Sequence, residues 1–183
     1  MELADLLNAD PNTLPYFITE VQTRRKVLVR FEPLAPDDDA ELRGSVWSQS
    51  IFAAVWQHYM GDGRTYKLVC IEEADKRIQG IVCVGSIAQN ATLLRENLLE
   101  SAPFNQKTYR SQEYRGAGRV LVARLVVESY LQGGKGRVAV KPRQGTERFY
   151  MTIGFRKQGN FILEIAEAQT LLGLTLIQKE EQP

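Results

Sequence analysis

Tyr114-Arg115-Gly116-Ala117-Gly118-Arg119-Val120-Leu121-Val122-Ala123-Arg124-Leu125-Val126-Val127-Glu128-Ser129 is the stretch on which the reading of this chain turns. A glycine-rich turn runs straight into a predicted amphipathic helix over residues 118–131. Val120, Leu121, Leu125, Val126 and Tyr130 are among its apolar positions, and Gly133-Gly134-Lys135-Gly136 stops it. The first backbone N–H groups of a helix have no partner inside it, and the helix dipole adds positive potential there, so a helix start can hold an anion. Gly116 and Gly118 would let backbone approach a phosphate closely, and Arg115 and Arg119 add cationic donors. A Gly-x-Gly before a helix also serves an ordinary tight turn, so this stretch alone leaves a purely structural role open. Two phosphate motifs are excluded. No G-x-x-x-x-G-K-[ST] is present, and the dinucleotide fingerprint would need a third glycine where Leu121 stands.

On the N-terminal side, residues 26–34 (KVLVRFEPL) alternate, with Val27, Val29 and Phe31 on one face, and predict a strand ended by Pro33 and Pro36. Asp37-Asp38-Asp39 then starts a helix. Asp38 with Glu41 resembles a capping box, and a metal-binding acidic triplet is the functional alternative. Residues 45–60 read as a helix in which Trp47, Ile51, Val55 and Tyr59 recur every four residues, with Phe52 and Trp56 beside them. That stripe is core or the wall of a ligand cleft, and Gly61-Asp62-Gly63 ends it. Residues 66–73 and 76–87 read as a hairpin through Ala74-Asp75, residues 91–101 as a further strand, and residues 102–114 as a polar loop.

On the C-terminal side follow a strand (137–142), a short helix (146–154) with Gly154 as a left-handed cap, a strand (161–166), a helix (167–172) and a last strand, LTLIQ (174–178). Residues 1–25 are broken by Asp10-Pro11-Asn12 and Leu14-Pro15. They are expected to form an arm, with a short helix at 2–8, packed on a single domain over 26–183. Strands mixed with crossover helices argue an α/β protein with one mixed sheet covered by helices.

The chain has 183 residues, 44% of them hydrophobic and 25% charged, which suits one globular domain. With 23 basic and 22 acidic residues, bulk charge points to neither nucleic acid nor a membrane surface. Cys70 and Cys83 sit in apolar runs and read as buried thiols, and one histidine is too few for a tight metal site. No run approaches the length of a membrane span, and the acidic start lacks the order of a signal peptide, so a cytoplasmic protein is expected.

Three stretches in order carry a family resemblance. Arg148-Phe149-Tyr150-Met151-Thr152-Ile153-Gly154-Phe155 resembles the F-Y-x-x-x-G-F signature of the GNAT superfamily of N-acetyltransferases. The segment from Tyr114 to Leu121 resembles that family's R-x-x-G-x-G/A phosphate motif, matched at Arg115 and Gly118, and Arg77-Ile78-Gln79-Gly80-Ile81-Val82 resembles its second hairpin strand. The likeness runs over about residues 26–172. Three departures stand out: Val120 where the motif has Gly or Ala, Arg143 where Asn is frequent, and the loop between Pro103 and Tyr114. A subset of the family has a similar L-E-x-A-P-x-N stretch, matched by Leu99-Glu100-Ser101-Ala102-Pro103-Phe104-Asn105.

The resemblance implies a GNAT-like fold, a central mixed and mostly antiparallel sheet flanked by helices. It also implies acetyl-CoA as acyl donor, with no metal. Leu99 and Ser101 would line its pantetheine, and Arg115, Gly116, Ala117, Gly118, Arg119 and Val120 would hold its diphosphate. Tyr150 would be the acid that protonates the departing thiolate. Glu100 is the candidate general base, against the plain alternative of a surface or capping glutamate, and His58 is a base by type alone. The expected partners are acetyl-CoA and a primary amine acceptor of a small molecule or protein, with no nucleic acid and no membrane. A homodimer is left open. The competing readings are a non-catalytic acyl-CoA sensor or interaction module of the same fold, and a nucleotide-binding protein using the same helix start.

Overall fold

The computed structural model describes residues 10–44, 47, 53–61, 63–72, 77–87, 92–95, 98–107 and 112–176. Period-two alternation decides the first layer. In β2 (Lys26–Pro33) Val27, Val29 and Phe31 all face the core, as the pattern requires. This strand pairs with β1 (Tyr16–Glu20) on one side and β3 (Thr65–Cys70) on the other. With β4 (Ile78–Cys83), β6 (Leu98–Ser101) and β7 (Tyr114–Arg115) they form a six-stranded sheet in the order β6-β4-β3-β2-β1-β7, antiparallel throughout.

A second sheet has the order β5-β8-β10-β9, from β5 (Leu94–Arg95), β8 (Val138–Val140), β10 (Asn160–Leu163) and β9 (Arg156–Gln158). Its β5–β8 pair is the one parallel ladder among the described strands. The segment 94–101 therefore serves both sheets. Its first part pairs with β8 and its second part with β4. Beyond Arg95 the two sheets part, and the outer side of β6 becomes an edge.

One long helix, α3 (Ala117–Leu131), fills the concave side. Shorter helices are α1 (Asp39–Arg43), α2 (Ala53–Trp56, continued as a 3-10 turn over Gln57–Tyr59), α4 (Glu147–Thr152) and α5 (Ile165–Thr175). The one-sided helix expected at 118–131 is instead buried on almost every side from Val120 to Val127. It lies against β1, β4 and β6 and also against α5, and a helix in that position must be apolar all round. Arg124 within this run is only 1% exposed. It pairs with Glu128, donates to Asn12 Oδ1 at 3.3 Å and lies over the Tyr66 ring at 4.6 Å. A smaller cluster covers the opposite face: Leu34, Leu42, Trp47, Trp56, Ile78, Ile81, Cys83, Ala102 and Phe104. Cys70 and Cys83 are buried thiols in different clusters, with no disulfide between them.

Several elements differ from expectation. Residues 16–20 of the expected arm form a strand inside the sheet, and part of the expected 102–114 loop forms a 3-10 turn (Pro103–Asn105) and β7. The Asp38–Glu41 box is absent. Asp38 accepts the Ala35 N–H at 2.8 Å and closes the turn before it, while Glu41 accepts the Ile78 N–H at 2.7 Å on β4. β9 carries no alternation that burial would imprint, since its residues are exposed. The expected last strand begins inside α5, because Leu171, Leu172 and Thr175 continue a buried helical stripe; among its described residues only Leu176 makes a strand-like bridge, to Tyr16. The expected helix at 2–8, the hairpin turn at 74–75, Ile51, Phe52 and residues 177–178 lie outside the described residues.

Candidate functional site

Gly116 caps α3 with φ +98°, a left-handed conformation that suits glycine. No side chain caps the helix there. The first intrahelical bond is Val120 N–H to Gly116 C=O at 3.0 Å, so the amides of Ala117, Gly118 and Arg119 precede the hydrogen-bond ladder. A Cβ on Gly116 would find only the Ile18 Cα, at 4.0 Å, so its outer side is open. Arg115 and Arg119 are exposed beside it. These donors fit a diphosphate. Val120 does not share in them: its side chain is fully buried in the core and its N–H is committed to Gly116. Gly118 has a second duty. A Cβ there would lie 3.1 Å from Cζ of Phe149, so the missing side chain makes room for the ring of α4.

The second part of the site is the β6 edge. Ala102 N–H bonds Gln79 C=O at 3.0 Å, continuing the β4–β6 ladder. Residues of one parity bond the same neighbour in an antiparallel ladder, so Leu98, Glu100 and Ala102 address β4, and the backbone of Leu99 and Ser101 turns to the outer edge. Consistent with this, the Ser101 carbonyl accepts Gln106 Nε2 at 2.9 Å. Among the described strands none pairs with that edge.

Side chains alternate in the opposite sense. Leu99 packs on the α3 face, while Glu100 lies on the other, buried face, where Trp56 Nε1 donates to its Oε2 at 3.0 Å. Tyr59 and Met60 pack in the same cluster. Tyr150 belongs to the α3-side cluster, 6% exposed, its ring edge-on to Phe149 and Phe155 at 5.0 and 5.3 Å. The fold thus brings Leu99, Glu100 and Ser101 together on one strand, and Tyr150 beside the start of α3 through Phe149. Tyr150 lies in one cluster, while Glu100 bonds Trp56 of the other. His58 is exposed.

Asn105 is a site residue that sequence reasoning passed over, although it ends the L-E-x-A-P-x-N stretch. Its Nδ2 donates to Gln79 Oε1 at 2.9 Å, and its Oδ1 accepts the Tyr114 N–H at 3.0 Å. A buried amide thereby ties β7, the strand before the Gly116 turn, to β4. Arg77 braces the same loop, pairing with Glu113 and lying 4.1 Å from the Phe104 ring centroid.

Cavities flank the two ends of α3. One, of about 260 Å³, is lined by Arg64, Tyr66, Gly85, Glu128 and Gln132 among others. The other, of about 360 Å³, is lined by Thr19, Glu20, Val21, Arg24 and Arg115. Among the described residues no group of His, Cys, Asp and Glu is placed to share a metal ion, and Asp38 of the acidic triplet is paired with Lys67 at 2.5 Å. No described helix is long and apolar enough to cross a membrane.

No family model and no curated protein matches this chain. Solved structures do. A protein from Desulfovibrio desulfuricans assigned to the GNAT family of acetyltransferases superposes with a TM-score of 0.53 at 22% identity, covering 75% of this chain and 99% of that one. A cAMP-binding acyltransferase from Mycobacterium smegmatis matches at a TM-score of 0.43 and 15% identity, over 92% of this chain and 54% of that one. A variant of that enzyme gives 0.47 and 14%, over 85% and 49%. With the splayed sheets and the helix start already described, the first of these likenesses establishes that the chain has the GNAT acyltransferase fold.

Proposed function

We propose that the protein is an acyl-CoA-dependent N-acyltransferase. The observation that carries this reading is the start of α3, which no side chain caps, with three amides ahead of the helix ladder and two arginines at the side of a sheet whose β6 edge no described strand pairs. The coenzyme's diphosphate would meet the amides of Ala117, Gly118 and Arg119. Its pantetheine amides would pair with the outward backbone of Leu99 and Ser101, as an added strand pairs with a sheet edge.

The acceptor amine then attacks the thioester carbonyl carbon. The C–N bond forms, the C–S bond breaks, and outward N–H groups of β6 stabilise the oxyanion between these events. Glu100, oriented by the Trp56 indole, takes the amine's proton directly or through water. Tyr150 gives a proton to the departing thiolate. A phenol near pKa ~10 and a thiol near ~8.5 are close enough for that transfer. The acceptor is a primary amine on a small molecule or protein, with acetyl as the donor group. Trp56 and Tyr59, on the Glu100 face, would form its wall.

A second reading is a non-catalytic acyl-CoA-binding module. The placing of Tyr150 in one cluster and of Glu100 against Trp56 of the other favours it. Thiol release from acetyl-CoA, measured with and without a panel of amines, decides between them. Turnover with at least one amine is expected, and Tyr150→Phe should lower kcat by about 10²-fold with little change in coenzyme Kd. Binding without release for any amine leaves the sensor; no binding ends both readings.

A further inference from the structure

The cavity at the opening end of α3 is built by the β1–β2 turn and β7. Thr19 and Arg115 are partners in the β1–β7 ladder and so share one face of it. Arg24 reaches the same cavity from the turn, held by its own N–H to Glu20 C=O at 2.9 Å, with φ +61°. That left-handed backbone is uncommon for a residue other than glycine, and it fixes where the side chain leaves the turn.

The lining carries two guanidinium groups and one carboxylate. The carboxylate, Glu20, is engaged by the Thr23 hydroxyl and lies 4.0 Å from Arg25 Nε. The cavity therefore presents an excess of positive charge, in planar forks suited to phosphate oxygens. Arg115 is the residue directly before the Gly116 cap, so the cavity adjoins the amides assigned to a diphosphate.

We infer that this cavity seats the 3′-phosphate of the coenzyme, with Arg24 and Arg115 as its ligands and the Thr19 hydroxyl as a further donor. The inference rests on the acyl-CoA reading. Two of the coenzyme's three phosphates form the diphosphate at the helix start. The third is a phosphomonoester, close to doubly charged at neutral pH. It would make the site selective for the phosphorylated coenzyme over its 3′-dephospho form and over adenine nucleotides lacking that group.

The test compares Kd values of CoA and 3′-dephospho-CoA by calorimetry at fixed salt for the full chain, Arg24→Gly and Arg64→Ala. Glycine suits the backbone at residue 24, so the turn is kept while the guanidinium is lost. The wild-type protein is expected to prefer CoA by about tenfold or more, and Arg24→Gly to reduce that preference below about threefold by weakening CoA alone. Arg64→Ala, at the other end of α3, should keep the full preference. Equal affinities for the two ligands in the wild-type protein overturn the inference and leave the acyl-CoA reading standing. A preference that survives in Arg24→Gly places the phosphate elsewhere and also overturns it. Failure of both ligands to bind the wild-type protein removes the acyl-CoA reading itself.

Discussion

At its C-terminal end α3 consumes its own loose groups; at its N-terminal end it leaves them outward. Gln132, Gly133 and Gly134 return their N–H groups to Glu128, Tyr130 and Ser129 carbonyls at 3.0, 3.0 and 2.6 Å. The Ser129 hydroxyl reaches on to the Arg137 carbonyl at 2.8 Å, and the Gln132 amide oxygen accepts the Ile87 N–H at 3.0 Å. Nothing comparable closes the start, where Gly116 contributes no capping oxygen. A Ser or Asp cap would add stability but would also occupy one of the amides. One end is closed by bonds within the chain, and at the other no described side chain caps the leading amides.

That contrast can be broken in the middle first. Leu121 is fully buried and packs on Gly80 of β4. Leu121→Ala should cost about 2–5 kcal/mol in chemical denaturation and weaken both ends together, since it removes the support they share. The contrast is sharpened by striking each end separately. Ser129→Ala should cost about 1–2 kcal/mol, through the lost hydroxyl bond to Arg137, while coenzyme affinity stays as in the parent. Gly116→Ala should cost about 1 kcal/mol, because its backbone is left-handed, yet weaken acetyl-CoA binding several-fold in titration. If the two variants lose affinity equally, the start of the helix has no special role.

The smallest expected effect lies off the helix altogether. Burial, the largest cause, raises the Glu41 carboxyl above its usual range, against its bond from Ile78 N–H. The folded state therefore holds that proton to higher pH than the unfolded chain, and stability from this group falls as pH rises from the ordinary carboxylate pKa through the raised one. Glu41→Gln keeps an acceptor for Ile78 and should flatten that slope slightly in melting curves from pH 4 to 7. An unchanged slope would assign it to other carboxylates.

Much of the fold was legible because burial imprints a period. Alternation marked β2, and the apolar run after Gly118 marked α3 within one residue of its observed start. Where pairing partners rather than burial define an element, the sequence carried little. β7 is two residues long and exists because it bonds β1, and β9 is exposed. LTLIQ has strand-like composition, but its first residues extend the α5 stripe of Leu171, Leu172 and Thr175. The site divides in the same way. The glycine turn that opens α3 is local and could be read from spacing. The Trp56–Glu100 bond joins residues 44 apart, and the Asn105 bridge links β4 to β7, so neither leaves a local pattern.

Leu94–Arg95 and Leu98–Ser101 answer to different ladders, and each ladder sets which way its own side chains face. Val138 must meet Leu94, and Ile81 must meet Glu100. A slip by one residue in the β4–β6 ladder would turn Leu99 toward Trp56 and carry the acid under α3. The backbone bonds of β6 to β4 thus act as a gauge that keeps a carboxylate on the indole side of the sheet.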